Sequence, residues 1–196
     1  IVGTTSTTST TQVISVNIVA VNDAPIITIS PISSTTKSGV PASFTMDDNS
    51  LSIVPLEGSD LSSDVFIPLS MIQITDVDAF KFDGNIINVH LSSANNSLVL
   101  QVNSSKSVAP DDIAIISSDS DGELHIRLFT PLGLEIMNSV LFAEGLILYS
   151  ASVNAYEKVV DSLVIRVIDS VGSNATVSST TIRVDMEQTE VSNRIV

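Results

Sequence analysis

Five acidic pieces of this chain fall at the ends of alternating apolar stretches rather than within them. They are Asn22-Asp23, Asp76-Val77-Asp78, Asp83-Gly84-Asn85, Glu157 and Asp169. Carboxylates and carboxamides of this kind offer hard oxygen donors. In an extended loop, alternate positions point two carboxylates the same way, so Asp76 and Asp78 form a natural pair. Carboxylates packed within a few ångströms repel strongly unless a cation sits among them. Ca²⁺ suits such a set, because it takes about six to eight oxygens from carboxylates, amides and backbone carbonyls. Each residue taken singly is an ordinary turn residue; only convergence in space would make them a site.

The elements that would do so are strands. "QVISVNIVAV" sets Ile14, Val16, Ile18 and Ala20 on one face, the period-two mark of a half-buried strand. It ends at Pro25, which has no donor for a ladder and forces an extended entry. "TTIRVDM" sets Ile182, Val184 and Met186 on one face. The two stretches align as a repeat, Val16 with Ile182, Ile18 with Val184 and Ala20 with Met186, and repetition of this kind marks an array. Between them "VFIPLSMIQIT", "NIINVHL", "SLVLQV", "ELHIRLF", "LILY" and "SLVIRVID" read as further strands. Turn residues separate them at Asp83-Gly84-Asn85, Asn95-Asn96, Asp121-Gly122 and Gly172-Ser173. "MDDNS" (Met46 to Ser50) and Asp119-Ser120-Asp121-Gly122 also read as turns. One helix of two or three turns is expected in "LGLEIMNSVLFAEG", where Leu134, Met137, Val140 and Leu141 recur at spacings of three and four. Many short strands with regular punctuation predict an all-β antiparallel sandwich. Loops of a sandwich cluster at two ends, so acidic groups distant in sequence can converge on one pole.

Composition narrows the chemistry. The chain has 196 residues, with 8 Lys+Arg against 22 Asp+Glu and a formal charge of −14. Such a balance argues against nucleic acid, whose phosphates need a basic surface, and favours divalent cations. There is no cysteine, which removes thiol catalysis, zinc–thiolate and iron–sulfur chemistry. Without tryptophan, and with aromatics at 4%, a stacking platform for sugars or bases is poorly supported. Mean hydropathy is +0.40, yet no apolar run reaches the roughly 18 residues of a membrane span. The chain lacks H-E-x-x-H, G-x-S-x-G, a phosphate loop and a dinucleotide fingerprint. An enzyme is not expected. His90 and His125 each lie opposite the apolar face of an alternating strand and read as surface histidines.

The order of these motifs carries a resemblance. "VNDAP", then "ITDVDAFKFDGNIINVHL", then "SLVIRVIDSVG" and "TTIRVDM" resemble the cadherin-like repeat. More narrowly, they resemble the cadherin-like and chondroitin-sulfate-proteoglycan-type repeats of large surface proteins. That pattern has a linker D-x-N-D-N-A-P, a D-x-D loop, an Asn seven residues beyond it, and a late Asp after a strand. Here Asn22-Asp23-Ala24-Pro25 match the linker, Asp76 and Asp78 the loop, Asn85 the following Asn, and Asp169 the late Asp. "LHIRLFTPLGLEIMNSVLFAEGLILYSA" is similar to the stretch that feeds a small helix into a strand. The resemblance implies Ig-like sandwiches strung end to end, with Ca²⁺ stiffening each junction. It implies ligation by Asn22, Asp23, Asp76, Asp78, Asn85 (through its carbonyl) and Asp169. Glu157, in "NAYEKVVDS", would serve a second junction at the opposite pole. The chain departs from the pattern in three places. Ala20-Val21 stand where the linker begins with Asp, Glu187-Gln188-Thr189-Glu190 replace N-D-A-P, and "TTKSGVPASF" holds no match to the early glutamate.

The resulting expectation is an Ig-like (cadherin-like) antiparallel β-sandwich with one short helix. A hairpin inserted within residues 92–123 would explain a length above the roughly 100 residues of such a sandwich. Residues 1–23 would be the last strand and linker of a preceding repeat, 24–187 one repeat, and 188–196 the start of the next linker. The expected role is structural, in an extracellular or cell-surface stalk or adhesin, with neighbouring repeats as partners. The alternative is a subunit that packs against copies of itself in a filament such as a flagellar hair or sheath. Three sequons, at Asn95, Asn103 and Asn174, are candidate N-glycosylation sites, and the Thr/Ser tract at 4–11 is either a linker, a strand or an O-glycan carrier.

Overall fold

The computed structural model describes residues 9, 11–16, 21–36, 42–55, 67–81, 84–95, 98–102, 111–117, 123–150, 159–171 and 174–186. Glu157, Asn103 and the segment 188–196 lie outside them. The described residues are mostly strand, with one short helical connection. Residues 11–16, expected to begin a strand, carry no ladder, and Ile14 and Val16 remain exposed. A period-two apolar stripe forms a strand only where a partner edge and a sheet surface receive it.

Eight strands make the main sheet. They are β2 (Ile32–Thr36), β3 (Ala42–Asp47), β4 (Ser50–Pro55), β7 (Ile86–Ser93), β9 (Ile113–Ser117), β10 (Glu123–Leu128), β12 (Val159–Val171) and β13 (Asn174–Met186), ordered β2-β3-β4-β13-β12-β7-β10-β9. β1 (Ile26–Ile29) and β6 (Ile72–Thr75) form a two-stranded sheet. β5 (Ile67–Pro68), β11 (Leu146–Ser150) and β8 (Leu98–Val102) form a third sheet of three strands. The main sheet is not wholly antiparallel, because β13 pairs with β4 in parallel, Arg183 opposite Ser50 and Met186 opposite Ile53. β4 stays paired with β3 on one edge and takes β13 on the other. The hairpin expected within 92–123 is instead β8 in the three-stranded sheet and β9 at the edge of the main one.

Alternation decides which face is wet. On β7, Ile87, Val89, Leu91 and Ser93 are buried while Ile86, Asn88, His90 and Ser92 are half-buried. Leu163, Ile165 and Val167 on β12 face the same interior, as do Ile182, Val184 and Met186 on β13. The small sheets complete that core through Ile72, Ile74 and Leu98. The β3–β4 turn is the one expected at Met46–Ser50: Asp48 and Asn49 have φ of 43° and 61°, both left-handed, as a two-residue hairpin loop requires.

The expected helix is present as α1 (Pro131–Ile136) followed by a π-helical segment, Met137–Gly145. Its Met137, Leu141 and Phe142 enter the core. Asn138 has a second task. Its side-chain amide donates to the Ile74 carbonyl (2.7 Å) and its Oδ1 accepts from the Ile74 N–H (2.9 Å), closing the open edge of β6. The start of α1 is pinned as well: Thr130 Oγ1 accepts from the Gly133 N–H (3.1 Å) and donates to Asp112 Oδ1 (2.5 Å). Gly133 packs so closely on the Asp112 carbonyl that a Cβ would overlap it. Gly133→Ala is expected to lower stability by roughly 1–3 kcal/mol, read from the urea midpoint, because backbone rather than a movable side chain stands in the way.

Candidate metal centre

β12 carries two carboxylates on its core face, one at each end of the apolar run Leu163, Ile165, Val167. Asp161 is 1% exposed and Asp169 0%. They differ in what surrounds them. Asp161 accepts from the Ser93 hydroxyl (2.6 Å), the Asn95 N–H (3.0 Å) and the Ser162 N–H (2.6 Å). Neither carboxylate oxygen of Asp169 has a hydrogen-bond partner. A buried, unsatisfied carboxylate is costly, so the surroundings of Asp169 decide what the site can hold.

Three elements converge there. Asp76 leaves the end of β6 and Asp78 follows in the loop. Asn85 precedes β7, and the chain from Asn22 to Pro25 leads into β1. Asp76, Asp78 and Asp169 each bring a carboxylate oxygen within 4.8 Å of the other two, and this cluster can hold a metal ion. Among the described residues, seven buried side-chain N and O atoms lack a hydrogen-bond partner, and all belong to Asn22, Asp76, Asp78, Asn85 and Asp169. Six of the seven are oxygens. Asn22 and Asn85 approach Asp169 closely enough to ease its charge, yet neither amide reaches it with hydrogen-bond geometry.

Local structure holds the loops in this arrangement. The Asp78 N–H donates to Asp76 Oδ1 (3.1 Å), an Asx-type turn that orients the D-x-D pair. Lys81 N–H donates to the Asp78 carbonyl (3.1 Å). Between them Phe80 takes φ of 61°, a strained conformation for an aromatic residue and one that clusters at functional sites. The entering segment is stitched to β13. Asn22 Nδ2 donates to Thr176 Oγ1 (3.1 Å), and that hydroxyl donates to the Asp23 carbonyl (3.1 Å). The Ser178 hydroxyl donates to the Pro25 carbonyl.

Electrostatics reflect the crowding. Burial pushes Asp76 up to about 6, helped by contact with the Asp78 side chain and by the Asp169 charge. Burial also raises Asp169, and the Asp78 charge adds to it. Burial acts on Asp78 in the same direction, but the Asp23 N–H (3.0 Å from Oδ2), the Asp76 side chain and Lys81 outweigh it and hold Asp78 low.

Of the six residues singled out from sequence, five meet at this pole. The Asp23 carboxylate is exposed and outside the three-carboxylate cluster. Its backbone is what the pole uses, through the N–H to Asp78 and the carbonyl to Thr176. Asp161 and the Thr176/Ser178 hydroxyls were not singled out. Asp161 shares the parity of Leu163, Ile165 and Val167, and that parity marks it as a core-facing carboxylate. Among the sequons, Asn95 is exposed at the end of β7, and Asn174 opens β13. No helix among the described residues is long and apolar enough to cross a membrane. No family model matches the chain, and no curated protein or solved structure matches it either.

Proposed function

We propose that this chain is a structural β-repeat of an extracellular or cell-surface array, and that Ca²⁺ bound at the Asp76–Asp78–Asp169 pole stiffens the joint by which the preceding segment enters. One observation carries the reading. A single cluster of five residues holds every buried, partnerless polar side-chain atom among those described, six of them oxygens. That number meets the about six to eight oxygens Ca²⁺ requires, and the absence of histidine and thiolate donors in the cluster disfavours softer metals. Mg²⁺, smaller and bound to its waters, fits an all-protein cage less well. The chain is an Ig-like sandwich in this reading. Asn22 Oδ1 would join the metal to the residues just before β1, so binding would order the entering chain. The role in this reading is mechanical.

Limited proteolysis tests this. Ca²⁺ should slow cleavage within residues 11–21 several-fold relative to chelator, and Mg²⁺ should do so weakly. Equal cleavage rates with Ca²⁺ and with chelator would sink the joint-stiffening role.

A further inference from the structure

On its β9, β10, β7 and β12 strands, the outer face of the main sheet differs in charge from the rest of the chain. On neighbouring strands, register sets Arg166 of β12 opposite His90 of β7, and His90 opposite His125 of β10. The two imidazoles stack with centroids 4.1 Å apart. Arg127 lies two residues along β10 from His125, on the same face. Glu123 is the one carboxylate facing this row among the described residues of β7, β9, β10 and β12, and it contacts His125 at 3.4 Å. Arg127 and Arg166 are exposed, and neither has an ion pair among the described residues. On the adjoining strand, Arg183 and Asp185 neutralise each other at 2.8 Å. Burial holds His90 below its ordinary pKa, and the neighbouring His125 and Arg166 add to the effect.

Apolar groups frame the row. Ile116, Val160 and Val177 are 43–45% exposed, with Val164 and Ile168 half-buried between them. Arginine in place of lysine is a bias shared by protein interfaces. The flanking guanidiniums disfavour a metal cation at the histidine pair. The chain as a whole carries −14, and exposed acids such as Asp48 and Glu135 lie in turns and helix outside the five strands of this patch.

We propose that this face, on β9, β10, β7, β12 and β13, docks onto an acidic surface of a second copy of the chain. The complement is the chain's own acidic remainder, because two such faces meeting each other would oppose like charges. The contact is therefore heterologous, and it propagates rather than closing as a dimer. It involves none of the metal-cluster residues, so the two readings can fail separately.

Sedimentation velocity across a concentration range tests the proposal. At ionic strength of roughly 0.02 M the average mass should rise past that of a dimer, and roughly 0.5 M salt should return the monomer, since exposed charges are screened. Arg127→Gln/Arg166→Gln and Ser30→Asp/Ser70→Asp change the net charge equally, all at exposed positions. The first should weaken association by about tenfold or more, and the second should leave it near wild type. Chelator should have no effect on it. A chain that stays monomeric throughout, stops at a closed dimer, or responds alike to both double variants would overturn the proposal.

Discussion

Saturating Ca²⁺ is expected to raise the melting temperature of the chelator-treated chain by roughly 5–10 °C, as a ligand at about a hundred times its Kd does for a domain of this size. The metal-free pole keeps Asp169 fully buried with both oxygens unpartnered beside Asp76 and Asp78, and the ion would remove that repulsion. The pH dependence should invert between the two states. In the metal-free chain Asp76 titrates near 6 instead of 3.8. Between those values the folded state retains a proton that the unfolded state has lost. Stability therefore falls as pH rises through that window and returns on acidification. Asp169, also raised, acts in the same direction. Asp78, held low, contributes stability above its ordinary value and loses it only below the window. With Ca²⁺ present, ligation needs deprotonated carboxylates, so the Ca²⁺-induced gain should shrink as pH falls through about 6. Asp169→Asn keeps the shape and removes one charge. It should melt higher than wild type in chelator and lose most of the Ca²⁺ shift. Retention of the full shift in Asp169→Asn, or no shift in wild type, would refute a metal at this pole.

Asp161→Ala should cost about 3 kcal/mol or more, because it strips a buried acceptor from three donors at once. The Ser93 hydroxyl and the Asn95 and Ser162 N–H groups all point at it, and Ser93 Oγ in turn accepts from Leu98 N–H (3.3 Å) at the start of β8. The lost acceptor thus unsettles the β7–β8 crossing between two sheets. The melting temperature should fall by roughly 6–12 °C. Asp161→Asn, which keeps one acceptor oxygen, should lose less. Asp161 lies eight residues from Asp169 along β12, about 26 Å at strand spacing. The Ca²⁺ shift should therefore survive in Asp161→Ala. A loss below about 1 kcal/mol would mean that water replaces the carboxylate, and that the network is not a fixed part of the core.

Much of the secondary structure was legible in the sequence because a period of two is a local signal. β7, β10, β12 and β13 follow from alternation, and so does the side each residue faces. At residues 11–16 the same alternation meets no partner strand among the described residues. β1 to β4 and β9 were missed for different reasons: β2 (ISSTT) has one apolar residue in five, β3 and β4 alternate over only a few residues, and β1 (IITI) and β9 (IAIIS) are apolar runs too short and too irregular to show a period. The order of D-x-D, Asn85 and the late Asp169 pointed to one pole. It did not indicate that Asp23 would act through its backbone, a use that no side-chain type encodes.

By itself the sequence determined the strand-rich class, the parity that buries Asp161 and Asp169 on one face of β12, and the acidic surplus. The tertiary structure decided which of those two aspartates is satisfied. Both have the same residue type, strand, face and burial. The difference is that β7 and its turn bring donors to Asp161, while β6, its loop and the entering segment bring oxygens to Asp169. Hydrogen-bond partners are chosen by strand pairing between residues far apart in sequence. No local pattern along β12 could therefore tell a core clamp from a candidate cation site.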